Sequence, residues 1–187
     1  MKLVSVSVGR PREVEWDGQM IRTSIFKDPV QGRVRAAKLG LQGDQQSDLE
    51  VHGGIDKAVY AYPSEHYAFW RKELPGVALP WGAFGENLTI EGLLEDRVHI
   101  GDRLRAGTAE FAVTEPRMPC YKLAIRFGRA DMVKRFMKSG RTGFYLAVLQ
   151  EGEIGAGDAL SIVGTDQHRI SIAAVVAAKV RSRADAR

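Results

Sequence analysis

Met1-Lys2-Leu3-Val4-Ser5-Val6-Ser7-Val8 opens the chain with valines at every second position and serines between them. A period of two puts Val4, Val6 and Val8 on one face of an extended strand and the serines on the other. The octet also lacks the long apolar core and small-residue cleavage site of a secretory signal, so it reads as part of the fold. The same rhythm returns in Lys57-Ala58-Val59-Tyr60-Ala61-Tyr62, at Ala109, Phe111 and Val113, from Phe144 to Leu149, and from Ala159 to Val163. Asp17-Gly18, Gly101-Asp102, Glu151-Gly152 and Gly157-Asp158 punctuate these runs as turn signals.

Helical spacing is rarer. Pro63-Ser64-Glu65 opens a segment carrying Tyr67, Phe69, Trp70 and Leu74, which Pro75-Gly76 closes. From Ala130 to Lys138, Met132, Val133, Phe136 and Met137 share one stripe before Ser139-Gly140, as core residues do. A third helix is expected from Ser171 to Val180, followed by a fraying basic tail. Many short strands without alternating strand-helix-strand units predict a mainly β fold, a closed β-barrel with peripheral helices. The 187 residues suit one core: a barrel domain over 1–165 and a short helix with a basic tail over 166–187. Gly40 to Gly54 and Gly76 to Gly92 are expected as functional loops on its rim.

No apolar run approaches the roughly 18 residues that a membrane span requires. One cysteine permits no intrachain disulfide, which together with the missing signal suggests the cytoplasm. The net charge of +4 is uneven along the chain. Residues 1–116 hold 14 Lys/Arg against 17 Asp/Glu, residues 117–141 hold 8 against 1, and residues 142–187 hold 5 against 5. The excess therefore follows Cys120 directly, where it favours a thiolate and an anionic ligand if those side chains fold near the sulfur.

Three constellations carry polar chemistry. Gly43-Asp44-Gln45-Gln46-Ser47-Asp48-Leu49-Glu50-Val51-His52-Gly53-Gly54-Ile55-Asp56-Lys57 ends in glycines that let backbone amides approach a ligand. His52 and Lys57 suit a phosphate there, and Asp44 and Asp48 suit turn capping. Trp81-Gly82-Ala83-Phe84-Gly85-Glu86-Asn87-Leu88-Thr89 offers Asn87, which can both donate to and accept from a ring edge or hold its own turn. The third is Cys120 in Pro116-Arg117-Met118-Pro119-Cys120-Tyr121-Lys122-Leu123. It reads as a buried hydrophobe, as a nucleophile paired with His52, His66, His99 or His168, or as the single protein ligand of a soft metal held otherwise by an organic cofactor. Zinc and iron-sulfur spacings are lacking, as are Walker A, G-x-G-x-x-G and H-E-x-x-H patterns. With few aromatics among the basic residues, a nucleic-acid surface is unpersuasive.

Gly43-Asp44-x-Gln46-x-Asp48 with His52-Gly53-Gly54-x-Asp56-Lys57, then Gly82-x-Phe84-Gly85-Glu86-Asn87-Leu88, then Pro116-Arg117-x-Pro119-Cys120-x-Lys122-Leu123 together resemble the MOSC domain family in its stand-alone bacterial YiiM-like branch. That family is named for the C-terminal region of molybdenum cofactor sulfurase, and the likeness runs from about Val4 to Val163. The resemblance implies a barrel of the pyruvate-kinase type that binds the molybdenum cofactor, with Cys120 as metal ligand and catalytic residue. It places Arg117, Lys57, His52 and Arg141 at the cofactor's phosphate and pterin edge, and Asn87 at the ring or substrate. The implied reaction is reduction of N-hydroxylated bases of the 6-hydroxylaminopurine type, a detoxification. Pyridoxal phosphate binding is a further association at family level.

Longer relatives of this kind continue past the barrel, some into a flavin and iron-sulfur module. A separate NAD(P)H-dependent reductase is therefore expected to dock, with the basic stretch Lys122 to Arg141 as one face for it. A carrier of cofactor or of persulfide sulfur at Cys120 is the alternative, and a phosphate-binding module with an inert cysteine is a third reading.

Overall fold

The structure is a computed structural model that describes residues 1–46 and 53–185, with side chains described through residue 182. In chain order the elements are β1 (Lys2–Val8), β2 (Arg12–Trp16), β3 (Gln19–Thr23), β4 (Asp28–Pro29), β5 (Arg33–Ala37), β6 (Gly40–Leu41), β7 (Val59–Pro63), α1 (His66–Glu73), β8 (Leu88–Glu91), β9 (Arg103–Ala106), β10 (Ala109–Pro116), α2 (Tyr121–Phe127), α3 (Met132–Ser139), β11 (Phe144–Gln150), β12 (Gly152–Gly155), β13 (Leu160–Gly164) and α4 (Ile172–Asp185). A turn of 3-10 helix, Ile55–Lys57, leads into β7.

Eight strands form one sheet in the order β13-β9-β10-β11-β7-β8-β1-β4. β12, β5 and β6 make a second sheet, and β2 and β3 a separate hairpin. The expected closed barrel is not formed. The first and last strands of the large sheet do not pair, and no sheet closes on itself. The reason lies in the free edge of β1, which two partners divide. Ser7 and Val8 pair with β4, while Lys2 meets Ala159 in one isolated bridge. Bonds from the Leu3 N–H to the Asp158 carbonyl and from the Leu160 N–H to the Met1 carbonyl tie that corner without extending into a ladder. A break in register between Leu3 and Ser5 turns β1 away at the same point.

Most neighbours are antiparallel, as short connections require. The exception is β7 with β8, which run parallel and are joined through α1, a single crossover unit within an otherwise meandering sheet. Helices α1 and α3 stand where the apolar spacing predicts them. The third expected helix is α4; it runs on to Asp185, past its predicted end. Helix α2 is short, sits directly after Cys120 and ends on left-handed Gly128.

Two apolar clusters result. Leu3, Val6, Ile90, Phe111, Leu146 and Val148 fill the concave side of the sheets, closed at one end by Ile172 and Val176 of α4. On the outer side, Tyr62 of β7 meets Tyr67 and Trp70 of α1, Phe84, and Phe136 of α3. Trp70 and Phe136 stack at 5.7 Å, and the Trp70 indole N–H donates to the Tyr62 hydroxyl at 2.7 Å. A buried indole or phenol must find such a partner, and these two find each other.

Candidate functional site

Strands β7, β10 and β11 lie side by side, and their shared end supports a cleft. Tyr60 of β7 pairs with Tyr145 of β11, the two rings 5.5 Å apart. Strand β10 runs out at Pro116, whose ring denies the ladder a donor, and the Arg117 N–H turns to the Gly143 carbonyl at 3.3 Å. Pro119 then holds the chain extended, and Cys120 becomes the residue that caps α2, with φ −116° and ψ 178°. Its half-buried sulfur-bearing side chain lines the cleft with Arg117, Met118 and Lys122. Lys57, Asn87, Lys27 and Asp44 come from three other segments to line the same space.

Four of the six residues singled out in the sequence therefore meet: Cys120, Arg117, Lys57 and Asn87. Arg141 is elsewhere. Its guanidinium lies 4.0 Å over the Phe69 ring and donates to the Ser139 carbonyl, in a depression shared with Arg135 and Lys138. His52 and Asp48 lie outside the described residues. Asn87 is committed to the fold around it: Oδ1 accepts from the Tyr60 N–H at 3.1 Å, and Nδ2 donates to the Ser7 carbonyl and to Asp44 Oδ2. Its neighbour Glu86 is wholly buried and accepts from the Gly82 and Phe84 N–H groups and the Thr89 and Tyr67 hydroxyls. Burial pushes the Glu86 carboxyl up, and hydrogen bonds from the Tyr67 hydroxyl, the Glu86 and Gly82 N–H groups and the Thr89 hydroxyl pull against it. Gly82 is needed in this turn because φ is +86° and an added Cβ would lie 2.7 Å from the Lys27 carbonyl oxygen.

Arg117 is the least exposed cation of the cleft, only 5% accessible. Its guanidinium stands 5.4 Å from the Tyr60 ring centre and 5.3 Å from that of Phe136. Burial opposes its charge, but Tyr60, Tyr145 and Cys120 around it outweigh that and hold its pKa above the ordinary arginine value. One of its nitrogens, Nη1, is buried and has no hydrogen-bond partner among the described residues, and the same is true of the Ser24 hydroxyl on the opposite lining segment. Unsatisfied donors of this kind cost stability unless a ligand takes them.

One lining residue, Lys27, escaped the sequence reading, which gives its partner Asp44 only a turn-capping role. Lys27 is 8% exposed and ion-paired at 2.5 Å with Asp44 Oδ1, which also accepts the Gly9 N–H at 2.7 Å. Asp44 does more than cap a turn, since it neutralises a buried ammonium and fixes Asn87. In the sequence Lys27 stands between Phe26 and Asp28, and nothing local says that its partner lies in another loop.

The basic segment does not form one surface. Arg117 and Lys122 are buried, Arg126 lies over Phe26, and Arg129 and Arg135 pair with Asp131 and Glu73. Among the described residues no three His, Cys, Asp or Glu side chains gather as a metal site, so a metal here would need most of its donors from elsewhere. No described helix is long and apolar enough to cross a membrane.

Known proteins match this chain in sequence and in fold. The MOSC domain model matches residues 48–161, a span that contains Lys57, Asn87, Arg117 and Cys120. YflK of Bacillus subtilis (strain 168), described as uncharacterized, is 44% identical over 170 residues, covering 91% of this chain and 76% of YflK. A protein named reductase from Gibberella moniliformis (strain M3125 / FGSC 7600) is 35% identical over 164 residues, 86% of this chain but 29% of that protein. The crystal structure of YiiM from Geobacillus stearothermophilus superposes with a TM-score of 0.80 at 38% identity, covering 97% of this chain and 85% of that one. With more than half of its residues under the family model and a relative of this identity along most of its length, the chain belongs to the MOSC domain family.

Proposed function

We propose that the chain is an oxidoreductase that binds the molybdenum cofactor through Cys120 and reduces N-hydroxylated bases of the 6-hydroxylaminopurine type, with electrons from a separate NAD(P)H-dependent reductase. The observation that carries this reading is that Cys120 shares one cleft with the buried Nη1 of Arg117, which has no hydrogen-bond partner among the described residues. A soft thiolate ligand beside an unspent guanidinium donor suits a group that is both a metal centre and an anion. The donor set fits in another respect. One protein sulfur without further gathered ligands among the described residues matches a metal that arrives with sulfurs of its own. The reductase name of one relative supports redox chemistry, although this chain spans 29% of that protein.

The residues present divide the work. Cys120 supplies the protein's ligand, aimed by Pro119 and by its place at the start of α2. Arg117 and Lys57 hold the cofactor's anionic edge, and Lys27 adds a third cation whose position Asp44 sets. Tyr60 and Tyr145 wall the cleft with rings that exclude water and keep those charges strong. Burial raises both phenols, so they stay protonated, and the Tyr60 hydroxyl donates to the Thr142 carbonyl at 2.8 Å. The cofactor, when bound, supplies two dithiolene sulfurs and a metal able to remove oxygen from nitrogen. His52 belongs to the proposal as a further cofactor contact, and Asn87 as the residue that orders Asp44 and Tyr60 beneath it.

The test is turnover. Protein from a cofactor-competent host, supplied with a reductase and NAD(P)H, is expected to convert 6-hydroxylaminopurine to adenine, and Cys120→Ser is expected to stop it while leaving the circular dichroism spectrum unchanged. Full turnover by the folded serine variant would refute the assignment.

A further inference from the structure

Beside the cleft lies a pair of like charges that the function above does not use. Arg12 on β2 stands 3.9 Å from the centre of the Phe26 ring, and Arg126 on α2 stands 5.2 Å from the same ring. Neither guanidinium has a carboxylate within salt-bridge distance among the described residues, whereas Arg129 and Arg135, next in sequence, both do. Arg126 is half-buried, and its Nε is fully buried with no acceptor among the described residues. Burial and the Arg12 charge both lower its pKa, and Asp28 nearby works in the opposite direction. Two guanidiniums sharing one ring, with an idle buried donor, constitute a cost to the free protein that an anion relieves.

The place matters as much as the charge. Arg12, Arg10, Phe26 and Asp28 line a depression that also includes Gly43. Phe26 stands between Ile25 and Lys27, and Gly43 precedes Asp44; all three of these neighbours line the cleft that holds Cys120. On α2, Arg126 comes six residues after Cys120, about 9 Å along the helix axis. The two depressions are thus adjacent, separated by one thickness of chain. Two guanidiniums against Asp28, the one carboxylate among the described residues that line the depression, leave an excess that suits a phosphate monoester, with its charge of roughly −1.5 to −2, better than a carboxylate.

We propose that Arg12 and Arg126 form a phosphate subsite at the rim of the Cys120 cleft, so that the base reduced there is taken as its nucleotide. The nucleotide part rests on the function proposed above; the phosphate subsite does not. Adenosine monophosphate and adenosine serve as probes, titrated calorimetrically into the full chain at low salt. The monophosphate is expected to bind roughly tenfold or more tightly than the nucleoside, the scale of one charge-assisted bond. Arg12→Met and Arg126→Met should each erase that preference, and Arg129→Met should keep it. Arg12 lies on an exposed strand, so its variant decides the matter if Arg126→Met fails to fold. Equal binding of the two probes, or a preference that survives Arg12→Met, overturns the subsite. Loss of turnover without loss of the phosphate preference would instead remove the reduction reading and leave the subsite standing.

Discussion

At Arg117 a charged side chain is buried for a purpose the fold itself does not explain. Its Nη1 is without a partner among the described residues, and its neighbours are the rings of Tyr60, Phe136 and Tyr145 and a cysteine. A buried cation of this kind contributes little to stability, and an apolar substitute of similar length often costs nothing. Arg117→Met is therefore expected to shift the melting temperature by less than about 4 °C, the equivalent of about 1 kcal/mol in a chain of this size. Cofactor retention should fall by about 1.5 to 3 kcal/mol with the charged hydrogen bond. A large loss of stability with unchanged retention would make Arg117 a structural residue. Lys27 and Asp44 behave differently, since each satisfies the other. Asp44→Asn would leave a buried ammonium half-satisfied and is expected to cost about 3 kcal/mol in a urea titration. A cost near zero would show that the pair does not hold the cleft.

Between elements, the chief tie beneath the site is Glu95. Its Oε1 accepts the Gly143 N–H at 2.8 Å, its Oε2 lies 2.8 Å from His66 Nε2, and its carbonyl accepts the Ala173 N–H at the start of α4. The Gly143 carbonyl in turn receives the Arg117 N–H, which links α1, α4 and the cleft through one residue. Burial pushes the Glu95 carboxyl up, but His66 and the Gly143 N–H outweigh it, and the net direction is below the ordinary 4.5. A carboxyl lowered by folding adds stability that is fully present above its unfolded value and is lost as pH falls through the folded one. The urea midpoint is expected to drop as pH falls below about 4.5, and Glu95→Gln to flatten that slope. An identical slope in the variant would assign the acid sensitivity to other groups. Gly143 itself, at φ +63°, would bring a Cβ within 2.4 Å of the Ala61 carbonyl oxygen, so Gly143→Ala should destabilise by more than about 1 kcal/mol. Unaltered stability would mean that the 141–143 turn yields easily.

Over the whole molecule, strands and amphipathic helices were legible because each is written in local periodicity: Val59 to Tyr62 and the stripe of Met132, Phe136 and Met137 show it plainly. The mistaken closed barrel came from the same source. Alternation says that a residue faces a core, but whether β1 pairs along its length with β13 or splits its edge between β4 and Ala159 is decided by long-range contacts that no local pattern encodes. Cys120 and Arg117 were legible at the site because they share one short motif. Lys27 was not, and Asp44 was legible only as a turn residue, because their ion pair arises only when two separate loops meet. Arg141 was drawn in by its place in a basic run, yet α3 carries it to the side of Phe69, away from the cleft. Charge along the chain therefore overstated charge in space. The central claim, that Cys120 is the protein's ligand in a molybdenum-pterin site, meets its most direct test in composition. Molybdenum and pterin are to be measured in wild-type protein and in Cys120→Ala, both purified from a cofactor-competent host. Near one equivalent of each in the wild type, with molybdenum lost from the variant, is the predicted result; equal metal in both proteins, or none in the wild type, would contradict it.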